Sequence, residues 1–386
     1  RINILTGVYH EKITIGTSGS GSSDFIEFRS SPGHTAVLDG TGISGDQLIL
    51  IHNGSYIRIE GLELRNNLDQ SFGTGIWITG AGSHIEIAGN VIHDMRAGPG
   101  GDAMAISVYG TDPVIPLSDI VISNNLIYDC EPGHSEALTI NGNVENFVIS
   151  GNEIRDVNNI GIDMIGGEGT CPTDALDAAR NGVCLNNTVA RARSNYGGGY
   201  AAGIYVDGGR NILVEGNTVS ECDIGMEVGC ENRGRTATGI IVRNNALYNN
   251  DKGGLAFGGY NYPSTGKVVS SVFRNNTVYN NDVLDTGTGE LWIQQGENCT
   301  VTGNIFYSTA RNRLMTATVG GAAGNSIDYN LWFAPGGPDS ASVDWDGEVY
   351  TGYGAYLAGT GNDEHSILAD PMFASAMVSS PDFHLD

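Results

Sequence analysis

Val-Ile-Ser-Gly-Asn-Glu-Ile-Arg, residues 148–155, decides the fold. A short alternating run, Val-Ile-Ser, meets Gly-Asn, and a second short run, Glu-Ile-Arg, follows at once. Alternation at period two puts one face of each run into a core. The two strands are too close in sequence for a helix to lie between them. The pair Gly-Asn marks a tight bend, where left-handed backbone and side-chain-to-backbone hydrogen bonds are both useful.

The motif recurs outward in both directions. An asparagine followed by apolar or small residues stands at Asn90, Asn125, Asn152, Asn187, Asn217, Asn245, Asn276, Asn304 and Asn330. The gaps run from 26 to 35 residues, too uneven for a helical solenoid of fixed period. They suit β-coils of about 22 to 30 residues with loops of variable length. A polar turn and a third strand, opening with glycine and a large apolar residue, complete each unit. The predicted fold is all-β: a right-handed parallel β-helix of about 10–12 coils. Stacked on successive coils, the nine amides would form a ladder that satisfies buried backbone groups. Weaker versions of the unit occupy residues 8–15, 26–28, 36–40 and 56–61. Residues 1–335 therefore read as one β-helix. Residues 336–386, richer in Gly, Asp, Ser and Tyr, read as an irregular segment packing on the last coils and covering their open edge.

Composition sets bounds. Glycine accounts for 57 of 386 residues, which suits repeated tight turns. The formal charge is −25, from 44 acids against 19 bases, so nucleic acid and anionic lipid are excluded as partners. No apolar run approaches the roughly 18 residues that a membrane span needs. The six cysteines (Cys130, Cys171, Cys184, Cys222, Cys230, Cys299) form no CxxC pair or zinc pattern. Cys171 and Cys184 bracket a polar stretch and are expected to bridge it. The chain opens within the repeat pattern at Arg1, without a leader, and its composition points to a secreted or otherwise extracytoplasmic protein.

Aligned on the first large apolar residue, the third strands read GIWIT (75–79), AMAIS (103–107), ALTIN (137–141), GIDMI (161–165), GIYVD (203–207), GMEVG (225–229), GLAFG (254–258) and ELWIQ (290–294). Their second and fourth positions are apolar and point inward; the third and fifth point out. One outward column reads Trp77, Ala105, Thr139, Asp163, Tyr205, Glu227, Ala256, Trp292. The other reads Thr79, Ser107, Asn141, Ile165, Asp207, Gly229, Gly258, Gln294. Asp163, Asp207 and Glu227 thus fall on consecutive coils about 4.8 Å apart. Asp207 is expected about 7–8 Å diagonally from the other two. Aspartate is a poor β-former, so strand formation does not explain it there. Glu168 and Glu231 lie just past the strand ends, Glu136 just before one, and Arg210 and Arg235 near the same rim.

Three functions fit an exposed acidic face of this kind. Two carboxyls can hydrolyse a glycosidic bond, one protonated to donate to the leaving oxygen and one acting as nucleophile or base. Mutual repulsion raises at least one pKa, as the acid role requires. Asp207, Glu227, Asp163 and Glu231 are the candidate catalytic residues. Tyr205, Trp77 and Trp292 suit the apolar face of a sugar, with Glu168, Glu136, Asn141, Arg210 and Arg235 as further substrate contacts. Hydrolysis needs no cofactor. Alternatively Asp163, Asp207 and Glu227 hold Ca²⁺ on a uronate while Lys252, Arg210 or Arg235 abstracts a proton, giving β-elimination. A third reading is a glycan-binding β-helix without catalysis. The partner in each case is an oligo- or polysaccharide.

Residues 135–147, 159–169, 203–209 and 224–232 resemble the right-handed parallel β-helix proteins of the pectate-lyase-like superfamily. Within it they are most similar to β-helix glycoside hydrolases of the β-xylosidase type. That resemblance implies a nucleophile at Asp207, in Tyr-Val-Asp-Gly-Gly, and an acid/base at Glu227 or Glu231. The Asn-Thr-Asp and Gly-His-Gly signatures of polygalacturonases are missing.

Overall fold

A computed structural model describes residues 1–322 and 324–385. The chain divides into two compact units, residues 1–201 with 209–212, and residues 202–208 with 213–386. In each unit short parallel strands build three ladders, and every coil contributes one strand to each.

In the first unit, one ladder runs through Ile57–Glu60, Gly82–Ala88, Leu117–Ser123, the later half of Glu136–Ser150 and Val183–Leu185. Its register stacks Ile59, Ile87, Ile122, Ile149 and Cys184 in one inward column. A second ladder stacks Leu64, Ile92, Ile127, Ile154 and Val189. A third stacks Ile51, Ile78, Val108, Ile140 and Met164. The second unit repeats the scheme. Its columns are Val214–Val242–Phe273–Val301–Ile327, Val219–Leu247–Val278–Phe306–Trp332 and Val206–Val228–Phe257–Ile293–Ala317. These side chains are buried almost completely. Like therefore packs on like at the strand spacing, and each coil closes the core face of the one before it. The fold is the predicted right-handed parallel β-helix. Within the second unit, residues 336–385 add strand Ser342–Trp345 on Arg313–Ala317, strand Glu348–Thr351 antiparallel to it, and helix Tyr353–Thr360, the one α-helix among the described residues. Among the described residues no helix is long and apolar enough to cross a membrane.

The nine asparagines are all buried. Their side chains form the expected ladder: Asn125 Nδ2 donates to Asn152 Oδ1 at 3.0 Å, and Asn152 Nδ2 donates to Asn187 Oδ1 at 2.9 Å. Asn152 Oδ1 also accepts the Asn125 backbone N–H, and Asn152 Nδ2 reaches Ile122 O, both at 3.0 Å; the same pairing joins Asn245 to Asn276 in the second unit, while Asn90, first in the row, accepts Leu62 N–H instead. The left-handed residue, however, is not the ladder asparagine but the one before it. Gly89, Asn124, Gly151, Asn186, Gly216, Asn244, Asn275, Gly303 and Tyr329 have φ between 53° and 68°. The first residue of each pair, glycine or asparagine in eight cases and tyrosine in Tyr329-Asn330, makes the bend; the second is thereby turned inward.

A second, shorter ladder was not foreseen. Asn250 Oδ1 accepts Cys222 N–H, Asn250 Nδ2 donates to Asn281 Oδ1 at 2.7 Å, and Asn281 gives both its N–H and its Nδ2 to the carboxyl of Glu290, which is wholly buried. The main ladder of this unit also ends on an acid: Asn330 Nδ2 lies 3.5 Å from Asp363 Oδ1, which accepts Trp332 Nε1 as well.

The expected Cys171–Cys184 bridge is not formed; no disulfide exists among the described residues. Cys184 is committed to the inward column, where its sulfur accepts from Asn187 Nδ2 at 3.3 Å. Cys171 lies in a turn and donates to Asp112 O at 3.4 Å.

Asn152→Ala should be strongly destabilising. It removes the acceptor of two Asn125 donors and two donors of its own, leaving several buried groups unpaired. We expect a loss of about 3–5 kcal/mol in urea unfolding; a loss below about 1 kcal/mol would show that the ladder is not a stabilising element.

Candidate functional site

The outer positions of the third ladder are not an exposed face. Asp163, Tyr205, Asp207 and Glu227 retain only 2%, 4%, 3% and 8% of their accessible surface. Turns after the strands fold over this side, and an acidic column beneath turns is costly to charge. The register also corrects one strand. Ser107, not Ala105, stands between Trp77 and Thr139, and Tyr109 stands between Thr79 and Asn141. Alternation at period two is unchanged by a shift of two residues, so the apolar pattern alone could not place this strand.

In the second unit, strands Ala202–Asp207 and Ile224–Gly229 are neighbours, with Tyr205 opposite Glu227 and Asp207 opposite Gly229. The Tyr205 ring lies over Gly229: a Cβ there would stand 2.6 Å from its hydroxyl oxygen, so only glycine admits the ring. That hydroxyl donates to Glu231 Oε1 at 3.5 Å, and Glu231 N–H donates to Asp207 Oδ1 at 2.7 Å. The turn at Cys230–Arg235 is thus fastened onto the strand ends, with Arg235 closing it through its N–H to Asn232 O at 3.0 Å. Burial pushes the Glu227 carboxyl up to about 8, and the Glu231 charge adds to the shift. The exposed Tyr260 belongs to the same group. Its phenol is raised by burial and then by Glu231, Asp207 and Glu227. No sequence signal marked Tyr260, which comes from the turn between two coils. Trp292 lies two coils beyond Glu227 in the same outer column, with Ala256 between them. Lys252 is buried at the turn entering Gly253–Gly258, its N–H donating to Asp223 O.

The first unit gathers another group. Asp163 stands opposite Thr139. Asn141 Nδ2 donates to Glu168 Oε2 at 2.8 Å, and Trp77 joins Phe72 and Tyr109 in a cluster of rings. Burial lifts the Glu136 carboxyl to about 8, the Thr139 hydroxyl opposes this, and Glu168 and Asp102 add to it. Arg210 is used structurally, its guanidinium donating to Ala175 O at 3.0 Å. Among the described residues no three His, Cys, Asp or Glu side chains are grouped to hold a metal ion.

The second-unit group can therefore present a protonated carboxyl (Glu227) beside one whose oxygen accepts a backbone N–H (Asp207), an arrangement that suits acid–base work on one bound group.

The family described as the right-handed beta helix region matches residues 40–277 and 181–363, and the chain belongs to it. It is 35% identical to the uncharacterized protein YwoF of Bacillus subtilis (strain 168), over all of this chain and 83% of that protein. Among solved structures, the GH136 lacto-N-biosidase of Eubacterium ramulus superposes with a TM-score of 0.61 at 12% identity, covering 86% of this chain. The chain spans 62% of that enzyme's length. The A-module of the mannuronan C-5 epimerase AlgE4 of Azotobacter vinelandii superposes with a TM-score of 0.55 at 13% identity, covering 95% of this chain and 90% of the module. At these identities the structures share the fold.

Four buried carboxyls, Glu136, Glu227, Glu290 and Asp363, are raised above their ordinary values by burial. The folded state then binds more protons than the unfolded one between about pH 4.5 and 8, so stability falls as pH rises through that window. The urea midpoint should be lower at about pH 9 than at about pH 5.5, and Glu227→Gln should flatten part of that slope. A midpoint that rises over the same interval would contradict the protonated state of these groups.

Proposed function

We propose that this protein is a glycoside hydrolase, with Glu227 as general acid and Asp207 as the opposing carboxylate. The observation that carries the reading is the pairing of these groups on adjacent coils in contrasting environments. Glu227 is buried and pushed up to about 8, so it holds its proton at neutral pH; Asp207 accepts the Glu231 amide, which suits its ionised form. Glu227 O–H donates to the glycosidic oxygen as the bond to the anomeric carbon breaks. Asp207 then either attacks that carbon or takes a proton from the attacking water. Glu231, tied to Asp207 through its backbone and to Tyr205 through its side chain, is a positioning residue that also keeps Glu227 protonated. Tyr260, exposed at the rim, offers a ring for a sugar face. One relative of the same fold, the Eubacterium ramulus lacto-N-biosidase, is itself a glycoside hydrolase, which is consistent with this chemistry. An extracytoplasmic setting fits a polymeric substrate.

Asp207→Asn keeps an acceptor for the Glu231 amide and should leave the fold intact while lowering kcat by about 10³-fold or more. Glu227→Gln should lower kcat by about 10²–10⁴-fold on natural glycosides, and by much less on substrates with good leaving groups. Wild-type activity should fall as pH rises through about 8 as Glu227 loses its proton. The readout is reducing sugar released from a panel of neutral and uronate glycans. Full activity in Asp207→Asn would sink the assignment, and an ultraviolet-absorbing unsaturated product would replace hydrolysis by elimination.

A further inference from the structure

The first unit holds an open cleft of about 470 Å³ where strands of its second ladder, Val91–Asp102, Leu126–Cys130 and Glu153–Asn158, run into their turns. Asp94, Asp129 and Asp156 stand at corners of successive coils, with φ between 51° and 56°. Each left-handed corner turns the next residue inward, so Met95, Cys130 and Val157 are buried, and the residue after that outward. Arg96 thereby stands opposite Glu131, and Asn158 opposite Arg193. The pairing of Cys130 with Val157 sets Glu131 beside Asn158. The cleft thus lies between a corner column and an outer column that run over four coils, roughly 14 Å at the strand spacing. Backbone bends shape it, and solvent reaches its side chains: Arg96, Asp129, Glu131 and Arg193 are all exposed.

The charges of this cleft cancel. Asp94, Asp129, Glu131 and Asp156 line it. Arg96 pairs with Glu131 at 3.3 Å, Asp156 takes Arg155 at 2.9 Å and Arg191 at 2.5 Å, and Arg193 lies on the rim. Four carboxylates therefore meet four guanidiniums, in a chain whose formal charge is −25. The Asp129 carboxylate makes no ion pair or hydrogen bond among the described residues, although it stands between two aspartates that do. The half-buried Asn158 beside it makes no side-chain hydrogen bond there either. An anion brought here is repelled by Asp129, and a bare cation by Arg96 and Arg193. The apolar residues that line the cleft, Cys130 and Val157, are buried, so a lipid finds no wall. A neutral molecule with many hydroxyls fits, because a carboxylate accepts, a guanidinium donates and an amide does both, and a hydroxyl can answer each. The length of the cleft suits a chain of sugars more than a single one.

We propose that this cleft is a glycan-binding groove in which Asp129 and Asn158, flanked by Arg96, Glu131 and Arg193, hold an uncharged stretch of polysaccharide. The groove anchors the polymer without cutting it, and it acts whether or not the Asp207–Glu227 pair is a hydrolase.

The test is affinity electrophoresis of the full-length protein carrying Asp207→Asn, which spares the polymer, in native gels containing arabinoxylan, β-glucan, glucomannan, galactan or polygalacturonate. At least one neutral polysaccharide should retard it, with half the full effect below about 10 mM sugar residues. Two further substitutions are added singly, each confirmed folded by circular dichroism. Asp129→Gly removes the carboxylate yet suits the left-handed backbone, and Asn158→Ala removes the amide; each should weaken the retardation about tenfold. Affinity for the neutral polymer should change less than about twofold between about 0.05 and about 0.5 M salt, because no net charge is exchanged. Polygalacturonate should bind about tenfold or more weakly. The proposal is overturned if no neutral polymer retards the protein, if both variants are retarded as before, if polygalacturonate binds equally well, or if salt abolishes binding. Calorimetric binding of spermine that Asp129→Gly removes, with no neutral polymer bound, also overturns it and makes the cleft a cation site. Retardation without turnover by protein with Asp207 intact leaves the groove standing and sinks the hydrolase reading; turnover with retardation insensitive to both variants does the reverse.

Discussion

The structure depends on the hydrogen bond between one buried amide and the next. A parallel coil has to turn its backbone through a tight corner inside the protein, where an unpaired N–H or C=O is expensive. Asparagine solves the corner because its short side chain carries one acceptor and two donors. In each step its oxygen takes both the amide and the backbone N–H of its neighbour, while its nitrogen reaches a strand carbonyl. The repeat unit is thereby fixed to the strand spacing of about 4.8 Å. Every inward column of isoleucine, valine and phenylalanine inherits that spacing, and so does every outward one.

The outward columns are where this regularity acquires chemistry. Residues on adjacent strands have no freedom to separate, so a carboxyl on one coil feels those on the next. Glu227 and Glu136 are each buried under a turn and each raised further by a glutamate from that turn, Glu231 and Glu168. The scaffold thus holds acids in their protonated state by placement rather than by any special residue. Gly229 contributes in the opposite sense, since its missing side chain is the room that Tyr205 occupies.

The sequence made the coil legible because Gly-Asn and Asn-Asn pairs combine a bend with a buried amide, and few other dipeptides do both. It did not say which member bends, since glycine and asparagine both tolerate positive φ; the observed division of labour needed backbone angles. The acids Asp163, Asp207 and Glu227 were found because aspartate and glutamate in mid-strand break strand propensity. Their burial was not readable, because it is imposed by turns whose sequences carry no periodicity, as with Tyr260. The strand at 103–110 was placed two residues out of register, so Ser107 and Tyr109 were each put in the wrong place or overlooked. Cys184 was misread for a related reason: spacing suggested a partner at Cys171, whereas its column made it a core residue.

The ladders also have a direction. Within the second unit each asparagine donates toward higher residue numbers, through Asn217, Asn245, Asn276, Asn304 and Asn330, and the run ends at Asp363. The shorter run, through Asn250 and Asn281, ends at Glu290. Aligned amides add their dipoles head to tail, as peptide units do in an α-helix. An acidic oxygen is the natural stop for such a chain, because the final donors have no further amide to meet. A coil can therefore be duplicated anywhere before the stop without changing the bonds on either side, whereas removal of the stop leaves the whole row open. Length in this architecture is set by where an acid interrupts a line of asparagines.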